Sequence, residues 1–172
     1  MNLNISSIIP SDFNDNSRVW IYQNENLFSP EQKTEINNIL ENFLKSWNAH
    51  GAPVKGFAKV LFDKFIVIIA DETATHVSGC STDSFERMIK EIQSKYKIDL
   101  FNRLSLTFIV DDRLMNIDLS DIENSISNKI INFQTLYFNN TVLNKKDLLN
   151  NWVIPAGKSW LEKYFTESHQ LI

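Results

Sequence analysis

Apolar residues recur along this chain in two rhythms. Between Pro30 and Gly51, Ile36, Ile39, Leu40, Phe43, Leu44 and Trp47 fall at helical spacing and form one stripe. Ser29-Pro30-Glu31-Gln32 supplies the start signal: a hydroxyl cap, proline at the first helical position and glutamine three residues after the cap. Gly51 is placed to end this helix in the left-handed conformation. A second helix is predicted over about residues 82–96, where Phe85, Met88, Ile89, Ile92 and Tyr96 form the stripe and either Asp83 with Glu86 or the neighbouring hydroxyls can cap its start. Between and around these helices run short segments rich in β-branched and aromatic residues: Arg18–Tyr22, Gly56–Phe62, Phe65–Ala70 and Leu104–Val110. Phe65–Ala70 is apolar at every position, as expected of a central strand buried on both faces. Only Asp63-Lys64 separates it from the preceding run, which implies a tight hairpin, and the absence of glycine there favours a slightly longer loop.

The resulting order is strand–helix–strand–strand–helix–strand, the split βαβ or ferredoxin-like arrangement. The pattern therefore predicts an α+β fold: a four-stranded antiparallel sheet with helices on one face. Residues 1–16 read as a polar arm that either docks or frays, 17–113 as the core and 114–172 as a helical extension, all in one domain. In the extension, Ser120 and Glu123 suggest a cap before Ile122, Ile126 and Ile130. Asn144–Asn151 and Ala156–Phe165 read as helices, and Leu136–Phe138 as an edge strand.

Composition narrows the function more than the fold. The net charge of −4 and the lack of a basic run argue against a dedicated nucleic-acid binder. The longest apolar run is far too short to span a bilayer. The first residues carry Asp12 and Asp15 and no basic residue before Arg18, the wrong charge for a signal peptide, so the cytoplasm is the expected compartment. A single cysteine, Cys80, rules out an intrachain disulfide.

Cys80 is also the one hint of chemistry. It sits in SGCSTDS at the predicted start of the second helix, where unpaired N–H groups and the helix dipole favour a thiolate. Right-handed crossovers would place the start of the first strand, the end of the first helix, the end of the third strand and this loop at one edge of the sheet. Arg18, His50, Asp71, Ser81, Asp83 and Ser84 would then gather near Cys80. Cys80 and His50 are the catalytic candidates. Arg18, Asp71, Ser81, Asp83 and Ser84 are the ligand-binding candidates. Each has a plainer reading: a packed cysteine at a strand-to-helix corner, a histidine at a helix C-terminus, ordinary capping hydroxyls, and solvated acids at Asp71-Glu72 and Asp111-Asp112. His76 reads as solvated and His169 as lying in a frayed end. Familiar thiol patterns fail, because a redox pair needs cysteine where Asp83 stands and a phosphatase loop needs arginine where Glu86 stands. Metal-ligand spacing is irregular, so neither a metal nor a cofactor is expected. Gly157-Lys158-Ser159 mimics the end of a phosphate-binding loop, but Trp152 occupies the position of its first glycine.

Trp47-x-x-His50-Gly51-x-Pro53-x-Lys55, the run FIVIIADE and SGCSTDS, with Trp152 and Ser159-Trp160, resemble an uncharacterised bacterial family often labelled ABC transporter ATPase. The resemblance covers roughly residues 18–165. It implies a small cytosolic protein with no established activity and no catalytic residues to carry over. The ATPase label does not fit a chain without a Walker A loop. Two readings follow: a small module that binds a polar ligand or a protein partner, as a possible homodimer, and a thiol-dependent enzyme or redox-sensitive protein using Cys80 with His50. The binding reading leads, because no thiol motif is complete.

Overall fold

The computed structural model describes residues 2–165. Its strands and helices follow in the order β1 (Arg18–Gln23), α1 (Pro30–Ser46), β2 (Asn48–Ala49), β3 (Ala52–Pro53), β4 (Lys55–Leu61), β5 (Phe65–Asp71), α2 (Gly79–Tyr96), β6 (Ser105–Val110), β7 (Arg113–Asp118), α3 (Ile122–Ser127), β8 (Leu136–Phe138), α4 (Lys145–Asn151) and β9 (Val153–Pro155). His169 lies outside the described residues. The fold is mixed α+β with antiparallel sheets, and the chain divides into two compact units.

The larger unit holds residues 5–101 and 143–149. Its sheet has the order β1-β5-β4, antiparallel throughout, with Arg18 opposite Ala70 and Lys55 opposite Asp71. Every residue of β5 is buried, as its unbroken apolar run demands. Ile66, Ile68 and Ala70 share a core with Ile36 and Leu40 of α1 and Phe85, Met88, Ile89 and Ile92 of α2. The α1 start is the expected capping box: Ser29 Oγ accepts from Gln32 N at 3.2 Å, and Ser29 N donates to Gln32 Oε1 at 2.9 Å. The β4–β5 loop is three residues, Phe62 to Lys64, with Phe62 and Asp63 both at φ +52°. The polar N-terminal arm docks. Ile5, Ile9 and Phe13 are buried, and Lys145, itself buried, donates from its ammonium to the Phe13 and Ser11 carbonyls.

The smaller unit overturns the four-stranded ferredoxin-like order. The strand expected to complete the first sheet is β6, and it belongs to a separate sheet of order β7-β6-β8-β9. The reason is local. Asp111 and Asp112, at φ +49° and +59°, form a two-residue reversal that folds the following residues back as β7. A hairpin partner needs almost no loop closure, whereas a distant edge needs much more. The outer edge of β1 is met instead by Leu143–Asn144, with Val19 N donating to the Leu143 carbonyl at 3.0 Å. Residues 113–118 are therefore strand, not helical extension. β8 lies inside the sheet between β6 and β9, not at its edge. The Ser120 cap does not form: α3 starts after Asp121 without a side-chain cap, and Ile130 is exposed beyond its end. The expected helix over 156–165 resolves into two short 3-10 turns, Ala156–Lys158 and Trp160–Tyr164. Gly157 explains its own presence by packing: a Cβ there would fall 2.2 Å from the Phe133 ring.

Candidate functional site

The sequence-predicted residues do not form one cluster. His50, Cys80, Ser81 and Ser84 line one cavity of the larger unit, Asp71 lines a second, and Arg18 and Asp83 line neither.

The first cavity, about 590 Å³, lies at the end of α1, the β2–β3 hairpin and the start of α2. His50, Cys80, Ser81 and Ser84 all line it. Two expectations about its frame are corrected. Helix α1 ends at Ser46, with Trp47 as an extended cap at ψ 115°, so Gly51 does not close it. Gly51, at φ +82°, and His50, at φ +51°, instead make the two-residue turn between Ala49 and Ala52. Such turns require positive φ at both positions, so His50 stands exposed at a hairpin tip rather than on a helix terminus. Helix α2 begins at Gly79 with Ser78 as its cap, not near residue 82. Cys80 therefore lies inside the first helical turn, with its thiol free and exposed. Asp83 is exposed and does not line the cavity, and the cap is made by Ser78 rather than by an Asp83–Glu86 box.

The cavity floor is held by a hydrogen-bond knot. Trp47 Nε1 donates to the Ser81 carbonyl at 3.0 Å, and Ser81 Oγ donates to the Asn48 carbonyl at 2.9 Å. Ser84 Oγ donates to the same Ser81 carbonyl at 2.7 Å, and the Ser78 and Ser81 hydroxyls lie 2.9 Å apart. These bonds tie the start of α2 to the β2–β3 hairpin, so the buried Ser81 hydroxyl is spent on shape. Trp47 is 2% exposed and packs edge-on to Phe85 at 5.8 Å, with Phe43 at 5.5 Å on its other side. Gly56 makes room for the indole: a Cβ there would sit 2.8 Å from the Trp47 ring and from Leu44 Cδ2. The groups left facing the space are the half-buried Phe43 ring and the polar side chains of Asn48, His50, Cys80 and Ser84. Sequence reasoning placed Phe43 and Trp47 only in the apolar stripe of the first helix and passed over Asn48, although the Trp47-x-x-His50-Gly51 spacing held the signal.

No family model, curated protein or solved structure matches the chain. The family resemblance therefore rests on the residues quoted for it.

Asp71 and Arg18 belong to the second neighbourhood. Asp71 is 3% exposed, a buried hub and not a solvated strand end. Thr73 N at 3.1 Å and Thr73 Oγ1 at 2.8 Å donate to Oδ1, while Asn14 N at 3.2 Å and Lys55 Nζ at 3.2 Å donate to Oδ2. Burial pushes its pKa up, but these donors outweigh burial and hold the carboxyl down at about 2. Arg18 NH1 reaches Glu72 Oε1 at 3.7 Å, and its guanidinium lies 4.6 Å above the Trp20 ring. Among the described residues, no group of three or more His, Cys, Asp or Glu is arranged to hold a metal ion, and no helix is long and apolar enough to cross a membrane.

Proposed function

We propose that the chain is a small-molecule-binding module and that the cavity of about 590 Å³ at Phe43, Asn48, His50 and Cys80 is its ligand site. The observation that carries this reading is the division of labour in the wall. The hydroxyls of half-buried Ser78 and buried Ser81 are consumed in building the cavity, while the Phe43 ring and the side chains of His50 and Cys80 line it beside Asn48, whose amide nitrogen donates to the Ser46 carbonyl at 2.7 Å. Ligand sites combine an apolar surface with a few placed polar groups in this way. A ligand with a flat apolar portion against Phe43 and a hydrogen-bonding portion toward Asn48, His50 and Ser84 suits these walls.

Disulfide capture at Cys80 tests the assignment. A panel of small aromatic and aliphatic disulfides is equilibrated with the protein under a reducing buffer, and adducts are ranked by mass. Selected aromatic members should be retained at least tenfold over aliphatic ones, with the preference lost in Phe43→Ser. A ranking identical to that of a short peptide containing the same cysteine would remove the cavity as a recognition site.

A second reading uses the thiol itself. Cys80 and His50 share the cavity wall, and Cys80 sits in the first turn of α2. A helix N-terminus favours thiolate formation. Fast alkylation at neutral pH that slows in His50→Ala would favour this reading over simple binding. A rate equal to that of an unstructured cysteine would dismiss it. An exposed free cysteine is also what a reducing compartment permits, which supports a cytoplasmic location. The β1-β5-β4 order with two helices on one face keeps three strands of a ferredoxin-like order, and we regard the fold as a divergent relative of it.

A further inference from the structure

The hydroxyl protons of the 590 Å³ cavity define what it can recognise. Ser46, Ser78, Ser81 and Ser84 line it, and each hydroxyl has one proton and two lone pairs. Ser46 Oγ donates to the Phe43 carbonyl at 3.2 Å, Ser84 Oγ to the Ser81 carbonyl at 2.7 Å and Ser81 Oγ to the Asn48 carbonyl at 2.9 Å. A carbonyl oxygen only accepts, so these three directions are fixed. With the Ser81 proton on Asn48, Ser78 must be the donor in the 2.9 Å contact between the Ser78 and Ser81 hydroxyls. All four protons are therefore engaged within the wall.

Asn48 is oriented by the same logic. Its Nδ2 donates to the Ser46 carbonyl at 2.7 Å, which makes the other amide atom the acceptor Oδ1. Among the described residues, nothing donates to Asn48 Oδ1, Ser46 Oγ or Ser84 Oγ. Asn48 and Ser84 are both bonded to the buried Ser81, so these side chains gather on one part of the wall. What they offer a ligand is chiefly acceptors. Donors come from the backbone beside them: the N–H groups of Gly79 and Cys80, in the first turn of α2, have no acceptor among the described residues.

Charge is the remaining constraint. Among the described residues, no Asp, Glu, Lys or Arg lines the cavity. An ammonium would find no carboxylate to oppose it. A carboxylate would suit the two backbone N–H groups, but its charge would face the lone pairs of Asn48 and Ser84. A ligand with no charge, N–H donors and one carbonyl meets neither penalty. A primary amide is such a group, with two N–H donors beside one acceptor. The half-buried Phe43 ring favours a flat aromatic frame to carry it.

We propose that this cavity selects uncharged aromatic primary carboxamides. The amide N–H groups donate to Asn48 Oδ1 and Ser84 Oγ, the amide carbonyl accepts from the first-turn N–H groups of α2, and the ring lies against Phe43. This assignment rests on the reading of the cavity as a ligand site and adds the class of ligand.

The test is an amide and indole N–H shift titration of the full chain with benzamide. Three analogues each remove one feature: N,N-dimethylbenzamide lacks the N–H donors, benzoate carries a charge, and cyclohexanecarboxamide lacks the aromatic ring. Benzamide should give saturable shifts at Asn48, Gly79, Cys80 and Ser84 and at the Trp47 indole. N,N-dimethylbenzamide and benzoate should each bind about tenfold more weakly, and cyclohexanecarboxamide at least about threefold more weakly. Asn48→Ala should weaken benzamide about fivefold and leave N,N-dimethylbenzamide unchanged, because only the first has donors for the missing oxygen. Equal affinity for benzamide and its dimethyl analogue, tighter binding of benzoate, or an Asn48→Ala loss shared by both amides overturns the carboxamide assignment and leaves the ligand site standing. Shifts absent from these residues with every compound overturn both.

Discussion

Replacing Asp71 by Asn should remove most of the acid sensitivity of the fold. In the native state Asp71 is buried, accepts four hydrogen bonds and holds its pKa near 2, against an ordinary value of 3.8. A native pKa below the unfolded one means that the unfolded chain takes up a proton first as pH falls. The stabilisation is therefore full above about pH 4 and disappears as pH drops through about 2. A shift of this size is worth about 2 kcal/mol, and solvent around the half-exposed Lys55 reduces it to about 1–2 kcal/mol. Urea unfolding of the wild type, followed by tryptophan fluorescence between pH 6 and pH 2, should show that loss concentrated below pH 4. Asp71→Asn should start about 1–3 kcal/mol less stable at neutral pH, having lost charge-assisted bonds to Lys55 and Asn14. It should then show a flatter pH dependence than the wild type. The reasoning is refuted if the variant and the wild type lose stability in parallel over this range, because Asp71 would then carry none of the linkage.

Four further outcomes follow from particular contacts. Lys64 is 2% exposed, and burial pulls its pKa down to about 8 despite the nearby Glu25, so the folded state resists its charge; stability should rise between pH 8 and pH 10.5, by up to about 3 kcal/mol. Lys64→Met should abolish that rise in a denaturant series, and an unchanged pH profile would count against the burial argument. Gly157→Ala sets a Cβ 2.2 Å from the Phe133 ring and should cost at least about 2 kcal/mol, partly recovered by adding Phe133→Leu; a variant as stable as the wild type in thermal melts would contradict the packing. Asp112→Gly relieves a positive φ of +59° in the β6–β7 turn and should raise stability by about 0.5–1 kcal/mol, whereas a loss would mean that the Asp112 side chain matters more than its backbone. Gly56→Ala pushes on the Trp47 ring from 2.8 Å and should both destabilise the fold by about 1–3 kcal/mol and shift the Trp47 emission; unchanged fluorescence would dissociate Gly56 from the cavity floor.

Local signals made much of the larger unit legible. The Ser29 capping box, the apolar stripe of α1 and the unbroken run of β5 each dictate one conformation without help from distant residues. What was hidden depends on competition between partners. Nothing in Ser105–Val110 says whether it joins the edge of β1 or pairs with the residues just after it, and Asp111-Asp112 lacks the glycine that advertises a hairpin. The strands β2 and β3 have only two residues each, too few for any periodicity, so Gly51 reads equally well as a helix stop. The start of α2 offers hydroxyls at Ser78, Ser81 and Ser84, and only the contact of Ser81 with Asn48 and Trp47 decides that Ser78 is the cap. The dispersal of the candidate residues has the same origin. His50 moved from a helix end to a hairpin tip, and Asp71 turned inward to hold the arm, whose few apolar residues left docking and fraying both open.

The central claim is that the cavity beside Trp47 recognises ligands. Its most direct measurement is an amide and indole N–H shift screen of the full chain with small aromatic fragments carrying a hydrogen-bonding group. Binding fragments should perturb the Trp47 indole, which donates to Ser81 at 3.0 Å, together with the Asn48, His50, Cys80 and Ser84 amides, and the set should vanish in Phe43→Ser. Fragments that bind elsewhere, or a Trp47 indole that stays unmoved while others shift, would contradict the account.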